Sequence, residues 1–152
     1  MADASGLEFS GFEIVKADPA KAFAFLINPE ALKGCIPDLV SAEKVSDTTL
    51  KGVVKPGFSF IRSTLKFTMD ITQTVPGKEA LMKTVSTGIG MSMTVASTMK
   101  VTPEGTGSRI DWAAAVTERK GLVAAAPVGL LKGAADTTVR ESWGRIKAAL
   151  DV

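Results

Sequence analysis

The chain contains one cysteine, Cys35, in the segment NPEALKGCIPDL that runs from Asn28 to Leu39. A cysteine acts as a nucleophile or a metal ligand through its thiolate, which forms where a neighbouring cation or imidazole lowers the pKa of the thiol. The chain has no histidine, so no imidazole can activate Cys35 or share a metal with it. We therefore expect no catalytic residue and no metal site, and we interpret Cys35 as a small apolar wall residue. A Cys-Lys or Asp/Glu mechanism stays open as an unusual alternative. Contact with a ligand head group, or a redox role, stays open for this thiol.

Neither the acidic residues nor the glycine pairs indicate an enzyme. Gly88–Gly90 and Gly105–Gly107 read as turns, and neither follows a strand and opens a helix as a nucleotide-binding loop does. The acidic residues in the middle of the chain are expected on polar strand faces or in turns, where burial would not separate their pKa values into an acid and a base. They are Glu43, Asp47, Asp70, Glu79, Asp111 and Glu118.

Length and charge limit the class of protein further. The 152 residues predict one domain over residues 1–152, and the net charge of +2, with basic residues scattered, argues against a nucleic-acid partner. A single cysteine excludes an internal disulfide framework, and the first residues lack the features of a signal peptide. The apolar stretch Gly121–Leu131 is shorter than the about 20 residues that a membrane span requires. These features predict a cytoplasmic protein.

The elements that must position these residues begin with a strand and two short helices. Leu7–Lys16 has the apolar content of a strand. Asp18 followed by Pro19, and Asn28 followed by Pro29, each have the order of a helix cap and a proline at the first helical position. The first helix is expected to continue to Ile27, and the second to about Lys33, before Gly34 and Pro37 end it.

A run of strands joined by tight turns follows, which favours an antiparallel meander with one apolar face. The clearest strand alternates apolar and polar residues from Ile61 to Ile71. The other predicted strands are Leu39–Val45, Thr49–Lys55, Ala80–Thr87, Met91–Val101 and Ile110–Val116.

The chain ends in a predicted long helix that begins near Pro127 or, with a kink there, nearer Gly121. An apolar stripe at steps of three or four residues is typical of a helix that packs on a sheet. Its members are Val128, Leu131, Ala135, Val139, Trp143, Ile146 and Leu150, with Lys132 as an exception inside it. The predicted fold class is therefore α+β, with a sheet of about seven strands against one long helix.

The opening segment, Phe9–Leu39, resembles the start of the CoxG family, the G subunit of carbon monoxide dehydrogenase. The matching positions are Pro19, Asn28, Pro29, Leu32, Cys35, Ile36 and Pro37, and the later order of elements agrees over nearly the whole chain. Asp38 departs from the family, which commonly has glycine there, and the sequence ends at Val152, where many relatives carry a further tail.

The resemblance implies a fold and a role. The family is similar to the START-like (SRPBCC) helix-grip superfamily, in which a curved sheet wraps a long helix and often encloses an apolar cavity. Its members are accessory proteins of molybdenum-containing carbon monoxide dehydrogenases and their relatives, associated with membrane recruitment of the enzyme. We expect a non-enzymatic partner of such a dehydrogenase, without a cofactor of its own, that binds a hydrophobic molecule such as a quinone. An enzyme or a ligand-free structural adaptor on the same fold is the alternative.

Two sets of residues carry this expectation. The predicted cavity lining, which could equally be core filling, is Cys35, Ile36, Phe60, Leu65, Phe67, Met69, Met82, Met91, Met93, Val95, Trp112, Leu131, Val139 and Trp143. The predicted membrane or partner contact is Leu122, Val123 and Leu130, in a segment that could equally be a buried first helical turn. Glu118, Arg119, Lys120 and Lys132 flank that segment, where they could meet anionic head groups or form a solvated rim.

Overall fold

Seven antiparallel strands form one sheet in the order β1-β7-β6-β5-β4-β3-β2. The structure is a computed structural model and describes residues 7–55, 64–121, 124 and 127–151. The strands are β1 (Glu8–Val15), β2 (Leu39–Ser46), β3 (Thr49–Val54), β4 (Leu65–Val75), β5 (Glu79–Gly88), β6 (Met91–Glu104) and β7 (Gly107–Gly121). The helices are α1 (Pro19–Leu26), α2 (Pro29–Lys33) and α3 (Val128–Leu150). This arrangement is the predicted α+β helix-grip fold, whereas the assignment to one domain stays a prediction.

Both short helices begin where the cap-and-proline signals predict. The Asp18 carboxylate accepts a hydrogen bond from the Lys21 backbone N–H at 2.8 Å, and the Asn28 side chain accepts one from the Glu30 N–H at 3.0 Å. Each cap satisfies a backbone donor that the first helical turn leaves unpaired. The buried face of α1 is Ala22, Phe23 and Leu26, so this helix covers part of the core.

The strand alternation is confirmed, but several predicted strands were too short. On β4, Leu65, Phe67, Met69 and Ile71 are buried while Lys66 and Asp70 are exposed, and the strand runs on to Val75. The predicted start of this strand, 61–63, lies outside the described residues. β6 and β7 extend to Glu104 and Gly121, because each continues to pair after its apolar alternation ends.

The long helix begins at Val128, directly after Pro127, while Gly121 is the last residue of β7. The predicted stripe is buried at Leu131, Trp143, Ile146 and Leu150, but Val128 is exposed. The first turn of α3 is therefore buried on the side of Leu131 and exposed at Val128. Lys132, the charged residue inside the predicted apolar stripe, is exposed as well, so the helix does not bury its charge.

The carboxyl end of α3 is fixed to the end of β1. The Ala17 N–H donates to the Leu150 carbonyl at 3.0 Å, and the Lys16 N–H donates to the Asp151 carboxylate at 2.9 Å. The Lys147 ammonium donates to the Ile14 carbonyl at 2.6 Å and to Asp151 at 2.8 Å. These bonds hold one end of α3 against the sheet. Within the described part of the chain, no helix has both the length and the apolar character that crossing a bilayer requires.

Candidate ligand site between the sheet and the long helix

The buried apolar side chains form two clusters. The larger one, which we call the lower cluster, includes Phe9, Phe23, Cys35, Leu50, Phe67, Met69, Ile71, Ala80, Met99, Ile110, Trp112, Trp143, Ile146 and Leu150. The smaller one, the upper cluster, lies where α3 begins and consists of Leu7, Leu65, Met91, Val116 and Leu131. The interior is thus divided along the length of α3.

Between these clusters, the inner face of the sheet is incompletely covered. Residues paired directly across an antiparallel ladder have their side chains on the same face of the sheet. Because Phe67, Met69 and Ile71 of β4 are buried, their partners on β5, and the partners of those residues on β6, also lie on the inner face. Their partners on β5 and β6 are all only partly buried: Ser86, Thr84, Met82, Met93, Val95 and Ser97. Ala135 and Val139 of α3 are partly buried too. We call these eight residues the middle layer.

The structure brings most of the predicted cavity residues to the interior. Leu65, Phe67, Met69, Met82, Met91, Met93, Val95 and Trp112 lie on the inner face of the sheet, Leu131, Val139 and Trp143 on α3, and Cys35 and Ile36 just after α2. Only Met82, Met93, Val95 and Val139 among them belong to the middle layer. Phe60 lies outside the described residues. Their role in binding a ligand stays a prediction.

The sequence interpretation did not select the hydroxyl residues of the middle layer. Thr84 and Ser86 alternate with exposed Lys83, Val85 and Thr87, which is the signal that could have placed them on the inner face. Serine and threonine are common on solvated strand faces, so their residue type alone does not indicate an inward position. Here they give an otherwise apolar layer three hydroxyl groups, counting Ser97, that can donate or accept hydrogen bonds.

Cys35 is 6% exposed and belongs to the lower cluster. Burial raises the pKa of its thiol above the ordinary value of 9.0, and the nearby positive charge of Arg145 offsets that rise only in part. Its sulfur lies 4.0 Å from the Ala31 carbonyl oxygen. The residue is therefore a protonated thiol at neutral pH, which supports the wall interpretation. Among the described residues, no group of three histidine, cysteine or acidic side chains could hold a metal.

The indole N–H of Trp112 is a buried donor with no hydrogen-bond partner among the residues described. A buried, unpaired donor of this kind destabilises a fold by about 1–3 kcal/mol. The ring itself is held tightly, because it stacks on Trp143 and covers Gly11. It lies in the lower cluster, below the middle layer.

Exposed apolar side chains lie at the upper end of the molecule, where α3 begins. Ile89, in the β5–β6 turn, is 80% exposed, and Val128 and Leu130 at the start of α3 are 43% and 47% exposed. The turn lies against the end of β7, since a side chain added at Gly121 would collide with the Gly90 backbone. We call Ile89, Val128 and Leu130 the apolar rim. Leu122 and Val123, predicted as membrane or partner contacts, lie outside the described residues.

Two open depressions on the surface lie apart from the middle layer. One, of about 530 Å³, spans β2 to β5 beside Glu43, Lys51 and Lys66. The other, of about 560 Å³, adjoins the end of β1 beside Lys16, Lys147 and Asp151. Both carry charged side chains, whereas a site for a hydrophobic molecule requires a mostly apolar lining. We therefore do not assign a ligand to either.

Comparison with known proteins places this architecture in a family. The sequence profile of the carbon monoxide dehydrogenase G subunit (CoxG) matches residues 11–151. Among curated proteins, no sequence matches significantly.

Solved structures of other proteins share the fold. A conserved protein from Geobacillus kaustophilus superposes with a TM-score of 0.82 at 18% identity, over 95% of each chain. A START superfamily protein from Mycobacterium smegmatis gives a TM-score of 0.71 at 13% identity, over 94% of this chain and 96% of its own. Protein CV1439 from Chromobacterium violaceum gives 0.66 at 14% identity, over 95% and 98%. At these identities the likeness establishes the START-like fold alone.

Proposed function

Because this chain belongs to the CoxG family of carbon monoxide dehydrogenase, we propose that it is a non-enzymatic accessory protein that binds a hydrophobic small molecule. The dehydrogenase that it serves would be a molybdenum-containing enzyme of the carbon monoxide dehydrogenase type. The observation that carries the proposal is the incompletely covered middle layer between two buried clusters. A sheet and a helix that packed on each other throughout would bury these inward-facing residues completely.

The chemistry of the middle layer favours a mostly apolar ligand with a few oxygen atoms. Met82, Met93, Val95 and Val139 supply apolar surface, and burying a ligand against it contributes about 25 cal/mol per Å² before the cost of association. Thr84, Ser86 and Ser97 supply hydroxyl groups that can bond carbonyl oxygens. An isoprenoid quinone has a ring that bears two carbonyl groups and an apolar tail, so it matches both the apolar surface and the hydroxyl groups of the layer.

The same layer gives no support to an enzyme. None of its eight residues is acidic, basic or a cysteine, and serine or threonine hydroxyls need a neighbouring base to act as nucleophiles or general bases. Cys35, the thiol nearest to such chemistry, is buried and protonated. Catalysis would require a buried carboxylate or lysine within the cavity, which the described layer lacks.

The apolar rim supports recruitment to a membrane as a further part of the proposal. Ile89, Val128 and Leu130 present exposed apolar side chains at the end where α3 begins. Exposed Lys132 flanks the rim and would attract anionic lipid head groups. A hydrophobic ligand could then pass between bilayer and protein with little exposure to water.

The test is native mass spectrometry of the protein purified from its own host, followed by organic extraction of the sample. We expect an apolar molecule in the extract and thermal stabilisation of the ligand-free protein by added quinones. At a quinone concentration about 100 times the Kd, the midpoint should rise by about 5–10 °C. A ligand-free mass without stabilisation by any quinone would contradict the proposal and favour a structural adaptor.

A further inference from the structure

A β-bulge in β7 reverses the faces that its last residues present. In the β6–β7 ladder, Val95 pairs with Val116, but Thr94 pairs with Glu118 and Met93 with Arg119. Thr117 is therefore an extra residue, and its hydroxyl lies 3.4 Å from the Thr94 carbonyl oxygen. Such an insertion exchanges inward and outward positions for the residues that follow it.

The reversal places Arg119 on the inner face. Arg119 shares its face with its partner Met93, a middle-layer residue, and is partly buried. Its neighbours Glu118 and Lys120 are exposed and pair with each other at 3.5 Å on the outer face. Without the bulge, the alternation of Ala114 and Val116 would have put Glu118 inside and Arg119 outside.

Arg119 is the last residue in a row of cross-strand partners at the upper edge of the middle layer. The row runs Phe67, Ser86, Met93 and Arg119 on β4 to β7, and Met91 and Val116 of the upper cluster flank its end. Arg119 already takes part in an interaction within the protein. A guanidinium carries five N–H donors, so it can bond a protein acceptor and a ligand oxygen together.

We infer that Arg119 binds the polar head of the hydrophobic ligand, by donating hydrogen bonds to a carbonyl oxygen at the upper end of the middle layer. This inference rests on the proposed function and adds a specificity to it: the ligand carries a hydrogen-bond-accepting oxygen on its ring. A hydrogen bond from a charged donor in a water-poor site is stronger than one from a hydroxyl. Arg119 thus selects an oxygenated ring over a hydrocarbon of the same shape, and Ser86 in the same row is placed to bond another oxygen.

The test compares two ring compounds of similar shape as ligands. It also compares two protein variants that each lose one positive charge. Menadione, a methylated naphthoquinone, has the ring oxygens, and methylnaphthalene lacks them. Arg119→Gln removes the inner-face charge, and Lys120→Gln removes the adjacent outer-face charge as its matched control. Affinities for the ligand-free full chain are measured by calorimetry, with circular dichroism and melting curves of every variant to verify the fold.

We expect Arg119→Gln to weaken menadione binding about tenfold or more, to leave methylnaphthalene binding unchanged, and Lys120→Gln to change neither. Equal affinity of wild type and Arg119→Gln for menadione would overturn the inference and leave the proposed function standing. So would an equal loss for both probes, because it would give Arg119 a role in the shape of the wall only. If wild type binds neither probe nor any longer-chain quinone, the proposed function and the inference fail together.

Discussion

The indole rings of Trp112 and Trp143 stack with their centroids 5.5 Å apart and their planes 9° from parallel. This contact joins the inner face of β7 to the buried stripe of α3. The Trp112 ring also covers Gly11, its partner on β1, where an added side chain would approach the ring to 2.7 Å. The stack therefore joins the sheet to α3 within the lower cluster, directly below the middle layer.

Removing one ring of this stack should destabilise the fold strongly. We expect Trp143→Ala to lower the free energy of unfolding by about 3–5 kcal/mol, because it removes a large buried side chain and leaves a void. Trp143→Phe keeps an aromatic ring and should lose clearly less. Urea denaturation, followed by far-ultraviolet circular dichroism, measures both values. Equal losses for the two variants would show that an aromatic ring at this position contributes nothing to stability beyond what alanine provides.

The sequence predicted the elements whose signals are local. Asp18 and Asn28, each before a proline, marked two helix starts, and the alternation through Leu65 and Ile71 marked the inner face of β4. These signals depend on neighbouring residues only, so no tertiary information was required. The order of strands and helices followed from them.

The parts of the site that the sequence did not reveal depend on contacts between distant segments. The bulge at Thr117 is set by pairing with β6, and uninterrupted alternation predicts the opposite face for Arg119. Val128 continues the helical stripe in sequence, yet it is 43% exposed. The openness of the middle layer depends on the separation of α3 from β5 and β6, which residue types alone do not determine.

The raised pKa of Cys35 predicts a loss of stability at alkaline pH. Below about pH 9 the thiol is protonated in both states, and above it the unfolded chain loses its proton first because burial keeps the folded thiol protonated. The unfolded state then binds fewer protons, so the free energy of unfolding falls as the pH rises. Relative to Cys35→Ala, wild type should therefore lose stability as the pH rises above about 9. A constant difference between the two proteins over that range would contradict the burial of the thiol.

The incompletely covered middle layer should accommodate a larger side chain at one of its positions. We expect Ser97→Phe to change the free energy of unfolding by less than about 1 kcal/mol, since the new ring can occupy open space. Ala80→Phe, at a position only 1% exposed in the lower cluster, should cost about 1–3 kcal/mol or more through overpacking.

The same pair of variants separates a ligand carrier from a solid adaptor. Ser97→Phe should also abolish thermal stabilisation by a quinone, because the ring fills the space that the ligand would occupy. Chemical denaturation and melting curves with and without quinone give both readouts. If Ser97→Phe destabilises the protein as much as Ala80→Phe does, the middle layer is packed and the adaptor is the better description.

Recruitment to a membrane should depend on the apolar rim. We expect Leu130→Asp to abolish co-sedimentation with liposomes that contain anionic lipid, because a charge would replace an apolar side chain at the bilayer surface. Ile89→Asp should act in the same direction. Since both residues are exposed, neither change should alter the melting temperature appreciably.

Val45→Asp is the matched control for these rim variants. Val45 is 51% exposed, but it lies near the β2–β3 turn, which bonds to Ile71 at the lower end of β4. Its substitution makes the same kind of change away from the rim and should leave sedimentation as in wild type. If Leu130→Asp and Ile89→Asp both co-sediment with liposomes to the same extent as Val45→Asp, then the rim does not contact the bilayer. Loss of binding in all three would instead point to the added negative charge itself, acting through repulsion from anionic lipid rather than through a localised apolar contact.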